Sequence, residues 1–341
     1  MSAGSRDGAD DLTAPMGKPR SILSRTARIL AIVLMTATAF DLSGCSVSGA
    51  PARAPCGVQP IGEVALRGGA VVLGEGGVLP EEGPPRHASV GAFAIDRTEV
   101  TNAQFTEFVT ATGYITLAER APDPALYPGV PASKLKPSSI VFMGAKADPN
   151  LSTPGLWWQV VPGADWRHPE GPGSDLKGRD RRPVVHVGYQ DALAYAKWHG
   201  RDLPSEAEWE YAAHAGLAGA RYEWGDAAPT AASPRANYWQ GPFPAIDTGD
   251  DGYKATSAPV GCYAPSAYGL YDMSGNVWEW TSSRYGRGPE SRVIKGGSFL
   301  CADNYCYRYR PQARQAGPPD TGSSHIGFRT IRRIGRFNAG A

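Results

Sequence analysis

Glycine and proline set the strongest constraint on how this chain can fold. The 341 residues include 42 Gly and 30 Pro, about a fifth of the total, and these two residues interrupt helices and strands more than any others. Two long stretches, residues 120–183 and 219–262, show little hydrophobic periodicity. The nine Trp and fifteen Tyr can pin such loops by aromatic packing. The sequence therefore predicts a loop-rich fold with little regular secondary structure.

The few periodic segments predict three helices and several strands. Helical signals occur in "TNAQFTEFVTATG" (101–113), "YQDALAYAKWHG" (189–200) and "LPSEAEWEYAAHAG" (203–216). Capping boxes begin the first helix, at Thr101 and Gln104, and the third, at Ser205 and Glu208. In the second helix Ala192, Tyr195 and Trp198 are expected to lie on one side. Strands are predicted within residues 68–74, 87–100, 292–299 and 326–333.

Net charge and length exclude some classes of function. The formal net charge is +1, so no overall field favours nucleic acid, and no nucleic-acid partner is expected. A chain of 341 residues, 42% of them hydrophobic, can form one large domain or two small ones.

The N-terminal residues predict an export signal. Arg20, Arg25 and Arg28 precede the apolar run "ILAIVLMTATAF" (29–40), which is too short to span a membrane. "LSGC" (42–45) follows and resembles a bacterial lipobox. We therefore predict a lipoprotein signal over residues 1–45, with lipidation of Cys45, and a flexible tether over 46–59. The alternative is an ordinary signal peptide cleaved nearby. Either implies an exported protein in an oxidising compartment, and the lipobox implies a membrane anchor.

Two of the five cysteines, Cys301 and Cys306, lie five residues apart in "GGSFLCADNYCYRYR" (296–310). A disulfide between them would close a very short loop and gain little entropy. Zinc usually needs four ligands, and no CxxC or nearby His completes such a set. Cu(I) prefers thiolates and can be held by two. From the residues alone, a structural disulfide and a metal or redox site both remain open.

Two oxygen-rich loops are candidate cation sites. "NYWQGPFPAIDTGDDGY" (237–253) and "YGLYDMSGNVWEWT" (268–281) combine Asp, Asn and Glu with glycines. Ca²⁺ binds six to eight oxygens, backbone carbonyls included, so such loops suit it. Side-chain turns that hold no ion are the alternative.

Several motifs, in order along the chain, resemble those of the formylglycine-generating enzymes, the sulfatase-modifying factors. They are "RTEVTNAQFTEFVTATGYIT", "WRHPEGP", "PVVHVGYQDALAYAKWHGRDLPSEAEWEYAA", "ANYWQG", "YGLYDMSGNVWEWT", "KGGSFLCADNYCYRYR" and "GFR". "PSEAEWEYAA" and "GNVWEW" mark the broad superfamily, whereas "WRHPEGP" and the paired cysteines are specific to the oxidase branch. The resemblance implies one irregular α/β domain related to C-type lectin modules, over residues 60–335, with a tail at 336–341.

The resemblance also implies an activity. The family oxidises the cysteine of a Cys-x-Pro-x-Arg sequence in an unfolded sulfatase polypeptide to Cα-formylglycine, using O₂, Cu(I) and an outside reductant. Carried onto this chain, Cys301 and Cys306 resemble the copper ligands. Ser298 matches a serine that helps in oxygen activation, and Trp278 matches an aromatic beside the copper. A monomer is expected.

Further family positions concern calcium and substrate. One implied Ca²⁺ site uses the Asn237 and Asp251 side chains with the Tyr238 and Tyr253 carbonyls. The other uses the Asp272 and Glu279 side chains with the Gly275 and Val277 carbonyls. The residues implied in a substrate groove are Glu99, Asp123, Trp157 and His325.

The chain departs from the family at several positions. Ala302 and His325 stand where relatives can carry His and Asn. Two disulfides of secretory relatives are missing as pairs, and Cys56 and Cys262 have no recognised partner except each other. The competing hypotheses are an exported lipoprotein of the same fold that acts as a binding module, or one that modifies a different substrate. Binding members of the fold generally lack the cysteine pair.

Overall fold

The structure is a computed structural model that describes Cys56 and residues 61–146, 150, 153–286 and 291–334. The predicted signal with Cys45, the tether apart from Cys56, and the tail at 336–341 lie outside the described residues. In the part of the chain that is described, no helix has both the length and the apolar character needed to cross a membrane.

The three predicted helices are present in the described chain: α1 (Asn102–Thr112), α2 (Tyr189–Trp198) and α3 (Glu206–His214). Both capping boxes form, with Thr101 and Ser205 accepting from the backbone of Gln104 and Glu208. Such reciprocal bonds satisfy orphan donors in the first turn. The rings of Tyr195 and Trp198 pack together on one side of α2, and Trp198 remains 40% exposed.

Eleven strands lie within the described residues, all but one of them five residues or shorter. They are β1 (Glu63–Leu66), β2 (Gly69–Leu73), β3 (Arg86–Val90), β4 (Phe93–Asp96), β5 (Ser138–Phe142), β6 (Trp158–Pro162), β7 (Trp278–Arg284), β8 (Arg292–Lys295), β9 (Arg314–Gly317), β10 (Ile326–Gly327) and β11 (Ile331–Arg333). Long irregular connections join them, so the predicted irregular, loop-rich α/β fold is confirmed.

These strands form four small sheets. The orders are β1-β4-β11, β10-β7-β8-β9, β2-β3 and β5-β6. The β10-β7 pair is parallel and the other ladders are antiparallel. The β5-β6 hairpin lies inside residues 120–183, where no strand was predicted. The four-stranded sheet frames the cysteine segment at 296–310, because β8 leads directly into it and β9 follows it.

A fully buried ion pair joins this sheet to the rest of the fold. Arg329 donates to both carboxylate oxygens of Glu279 on β7, each at 2.7 Å. Trp209 of α3 donates its Nε1 to Glu279 at 2.7 Å. On the next strand, Lys295 pairs with Glu210 of α3 at 2.6 Å. Breaking such buried pairs leaves an uncompensated charge, so they fix the sheet against α3.

Candidate active site

A tight turn brings the two cysteines of the 296–310 segment together. The Ala302 carbonyl accepts hydrogen bonds from the backbone of Tyr305, Cys306 and Tyr307 at 3.2, 3.1 and 2.9 Å. Trp239 anchors the start of the turn by donating to the Cys301 carbonyl at 3.0 Å. The chain therefore doubles back, and Cys301 comes within hydrogen-bonding reach of Cys306. Both are free thiols, Cys301 buried and Cys306 half-buried.

The two thiols differ in their electrostatic surroundings. Burial raises the pKa of Cys301 well above its usual range. The hydrogen bond from Cys301, together with the Arg308 guanidinium, lowers the pKa of Cys306. Arg308 Nη1 lies 3.8 Å from the Cys306 sulfur. Cys306 is therefore the thiol that ionises first.

A double glycine lets the chain pass from β8 into this site. Gly296 and Gly297 have φ angles of 91° and 77°, which side chains rarely adopt. A Cβ on Gly297 would lie 2.4 Å from the Arg308 carbonyl oxygen. Ser298 follows and is fully buried, with its hydroxyl accepting from the Leu300 backbone at 3.2 Å. The glycines thus allow the segment around Arg308 to pack directly against residue 297, just before Ser298 and the cysteines.

An open cleft of about 590 Å³ gives access to the thiols. Both cysteines and Ser298 line it. Its aromatic wall consists of Trp158, Phe243, Trp278, Tyr305 and His325. Phe243 and Tyr305 stack with ring centroids 4.4 Å apart. The site therefore places two free thiols beside an apolar, aromatic surface that is large enough for part of a polypeptide.

Trp278 and His325 lie side by side in the cleft. The Trp278 backbone donates to the His325 carbonyl at 2.9 Å, because β7 and β10 pair in parallel there. The His325 Nδ1 lies 2.7 Å from the Ser323 hydroxyl, and its ring packs on Trp158. Burial lowers the pKa of His325 to about 3, so the ring is neutral at ordinary pH.

Trp157 stands behind the aromatic wall rather than in it. Its side chain is only 5% exposed, and it packs edge-on against Phe243 and Tyr305. It supports two residues of the cleft without lining it.

The structure separates Glu99 from Asp123. Asp123 is exposed and lines a second cleft of about 340 Å³, which shares Ile140 and Thr321 with the first. Glu99 is fully buried and accepts from the Asn276 side chain at 3.0 Å. A carboxylate enclosed in this way does not contact a ligand in either cleft, so the expectation that Glu99 lines a substrate groove is not met.

The match with known families covers most of the chain. The model of the sulfatase-modifying factor enzyme 1-like domain matches residues 49–334. This chain belongs to that family, which is the family of the formylglycine-generating enzymes. The match begins before residue 60, the start predicted for the domain.

Individual family members and solved structures agree with this assignment. The formylglycine-generating enzyme of Mycobacterium tuberculosis is 47% identical over 290 residues, which are 79% of this chain and 96% of that one. A mouse family member named inactive Cα-formylglycine-generating enzyme 2 is 42% identical over 259 residues, covering 75% and 80%. The structure of PvdO from Pseudomonas aeruginosa superposes with a TM-score of 0.55 at 24% identity, covering 80% and 94%. PvdO supports the fold alone.

The residues of the first calcium site implied by the formylglycine-generating enzyme family are brought together by one loop. Asp251 is 1% exposed, and its two oxygens accept from the backbones of Tyr238 and Tyr253 at 3.0 and 2.9 Å. Asn237 donates to Asn276, which links this loop to the second implied site. Calcium binding by these residues stays a prediction.

The second implied calcium site has one unpartnered oxygen. Asp272 is 4% exposed; its Oδ2 accepts from Gly261 at 2.7 Å, and its Oδ1 has no partner. Burial raises the pKa of Asp272 to about 6. A buried oxygen without a donor fits a cation ligand. Glu279, in contrast, is already held by Arg329 and Trp209.

The other two cysteines of the described chain form a disulfide. Cys56 and Cys262, 206 residues apart, are bonded, with the Tyr253 hydroxyl 3.1 and 3.3 Å from their sulfurs. The possibility that they pair with each other is thus confirmed. The bond ties the chain near its predicted anchor to the loop of the first implied calcium site.

Sequence reasoning missed much of the aromatic wall of the cleft. Trp158 begins strand β6 and Phe243 lies in a loop far along the chain, and no local signal marks either of them. Tyr305 lies between the two cysteines, and that position was the one available hint.

Proposed function

We propose that this protein is a copper-dependent oxidase that converts the cysteine of a Cys-x-Pro-x-Arg sequence in sulfatases to Cα-formylglycine with O₂. The observation that carries the proposal is the pair of free thiols, Cys301 and Cys306, at the wall of an open cleft. Overall similarity cannot carry it, because a family member named as inactive is almost as similar as the enzymes.

The donor set fits Cu(I). Two adjacent thiolates are the ligands that a soft monovalent ion prefers, and Cys301 and Cys306 would hold it. Within the described residues, no group of three or more His, Cys, Asp or Glu side chains is arranged to hold a metal ion. Bound there, copper would supply the one-electron chemistry that O₂ reduction requires and a position for the substrate sulfur.

The chain's own residues provide the parts of the site other than copper. Cys306 is the thiol whose pKa is lowered, by the hydrogen bond from Cys301 and by the Arg308 guanidinium. Ser298 is buried and lines the same cleft as the two cysteines, and the aromatic wall with Trp278 offers an apolar surface for the substrate. In the net reaction, two electrons from the substrate CH₂–SH group and two from an outside reductant reduce O₂. Sulfur leaves as sulfide and the carbon becomes an aldehyde.

The two connected clefts suit an extended polypeptide. Ile140 and Thr321 belong to both, so a chain whose cysteine lies beside Cys301 can continue towards Asp123. The Asp123 carboxylate is exposed there and would pair with the arginine of the target sequence. A folded protein would not present its backbone so deeply, which supports an unfolded sulfatase as the substrate.

Calcium is proposed as a structural cofactor at the two implied sites. The unpartnered Asp272 oxygen and the Asp251 loop support it. Ligands that bind only the folded state stabilise it, so removal of calcium with a chelator should lower the thermal midpoint. Asp251→Ala should abolish that response, and an unchanged midpoint in wild-type protein would contradict the first site.

We also propose that the protein is an exported lipoprotein, attached to the membrane through Cys45 and monomeric. The lipobox and the apolar run before it motivate the anchor. Cell fractionation tests it: the wild type should sediment with membranes and Cys45→Ser should not. A wild-type protein that stays in the soluble fraction would remove the idea.

The experiment for the activity uses purified protein loaded with Cu(I), a synthetic peptide containing Cys-x-Pro-x-Arg, O₂ and a thiol reductant. Mass spectrometry should show replacement of CH₂SH by CHO. A peptide with Ala for the Arg should react poorly, and an anaerobic sample should not react. Full conversion by copper-free protein would reject the copper, and no conversion under any of these conditions would reject the oxidase.

A further inference from the structure

A short acidic segment far away in sequence packs against the cysteine turn. Residues 78–82, between β2 and β3, form what we term the clamp loop. Glu81 and Glu82 of the clamp loop both reach the segment 306–310, which is 227 and 228 residues away at the points of contact. The loop carries no residue assigned to substrate or metal above.

Glu82 fixes the clamp loop in place. Its side chain and that of Arg310 are fully buried and form an ion pair. The other Glu82 oxygen accepts from the backbones of Val78 and Leu79 at 2.7 and 3.0 Å. Removing one partner of a buried pair is strongly destabilising, so Glu82 is part of the framework.

Glu81 pairs with Arg308, whereas Glu82 pairs with Arg310. Glu81 accepts from both Nε, at 2.9 Å, and Nη2 of Arg308, and this pair is partly exposed. The third guanidinium nitrogen, Nη1, turns back to the cysteine turn. It donates to the Cys306 carbonyl at 3.2 Å and lies 3.8 Å from the Cys306 sulfur. A long side chain of this kind samples several rotamers unless a partner holds it, and Glu81 holds two of its three nitrogens.

The net charge of a copper site built from two thiolates gives a guanidinium beside Cys306 a physical role. Two thiolates around a monovalent cation leave one net negative charge in a partly buried site. A fixed guanidinium beside one sulfur offsets that charge, and interactions of charges are strengthened where water is displaced. The guanidinium stays useful only while it is aimed at Cys306, which Glu81 ensures.

We propose that Glu81 is a positioning residue of the active site. By holding two nitrogens of Arg308, it keeps the third nitrogen against the carbonyl and the sulfur of Cys306. There the guanidinium charge would offset the negative charge of a site in which Cys301 and Cys306 hold Cu(I). The inference rests on the proposed function, because the site that Glu81 serves is the copper site.

The test is the affinity of the reduced, metal-free protein for Cu(I), measured by competition with a coloured Cu(I) chelator. Glu81→Ala should weaken the affinity about tenfold, as expected for loss of one charge-assisted hydrogen bond, with Glu81→Asp intermediate. Arg308→Ala should weaken it as much, and the double variant no further, since both act through one contact.

The matched control is Glu63→Ala, which removes a carboxylate paired with Arg201 and Arg332 in another sheet. It should leave the copper affinity unchanged.

Two outcomes would overturn the proposal. One is unchanged copper affinity in Glu81→Ala while the fold is intact by circular dichroism. The other is additive effects of Glu81→Ala and Arg308→Ala, which would mean that they act separately. Copper binding needs no turnover, so a protein that fails to oxidise the peptide but shows these effects rejects the proposed activity and retains the role of Glu81.

Discussion

Gly297 packs against the carbonyl of Arg308 so closely that a Cβ at position 297 would lie 2.4 Å from the Arg308 oxygen. This contact sets the separation between the segment that enters the site, at Gly297, and the segment that leaves it, at Arg308. Because the atoms involved are backbone, neither can move aside by a change of rotamer.

Gly297→Ala should therefore disturb the cysteine site out of proportion to its size. We expect a loss of about 1–3 kcal/mol in unfolding free energy from clash and positive φ, and loss of most Cu(I) binding. Gly286→Ala is the control, since Gly286 has a similar φ of 72° and open space around it. Equal effects of the two substitutions on copper binding would show that the contact is unimportant.

The cysteine pair gives the most direct prediction for activity. Cys301→Ser and Cys306→Ser should each abolish peptide oxidation, because a two-thiolate site that loses one thiolate loses most of its hold on a soft ion. Copper titration of the reduced protein should find one Cu(I) in the wild type and none in either variant. Cys301→Ser should also lower stability, by about 1–3 kcal/mol, since it buries a hydroxyl. Oxidation by either variant at the wild-type rate would refute the assignment.

His186 should make stability depend on pH. It is fully buried, its Nδ1 accepts from Ser139 and its Nε2 donates to Pro169, and burial lowers its pKa to about 4. The unfolded chain binds the proton near pH 6.5 and the folded chain only near pH 4. Stability is therefore complete above pH 6.5 and falls between pH 6.5 and 4, by up to about 3 kcal/mol.

The comparison variant for this effect is His186→Asn, which tolerates the left-handed φ of 61° at this position. It should be less stable than the wild type at pH 7, and the difference should shrink as the pH falls to 4. Denaturant unfolding at several pH values measures this. A difference that stays constant would mean that folding does not shift the pKa of His186.

The Cys56–Cys262 disulfide should stabilise the folded chain. It closes a separation of 206 residues, and the double variant Cys56→Ser with Cys262→Ser should lose about 2–4 kcal/mol. Denaturant unfolding of the double variant and of the wild type under reducing conditions should agree. Identical stability of oxidised and reduced wild type would argue against a structural role.

Sequence patterns that span only a few residues predicted helix starts well. The capping boxes at Thr101 and Ser205 depend on residues three apart, and both formed as expected. The strands of the β5-β6 hairpin were missed because their alternation is weak and neighbouring glycines and prolines masked it. The expectation for Glu99 came from a position in a family motif, and such a position does not state which way a side chain points. In this fold Asn276 and the buried carboxylates enclose it.

The sequence by itself determined the family, the loop-rich character and the identity of the reactive cysteines, because these depend on composition and on motifs of contiguous residues. Only the tertiary structure decided what surrounds those cysteines. Glu81, Phe243 and Trp158 reach the site from distant parts of the chain, and Cys56 meets Cys262 across 206 residues. Contacts of this range arise when the whole chain packs around its core, and no hydrogen-bonding rule of a few residues encodes them.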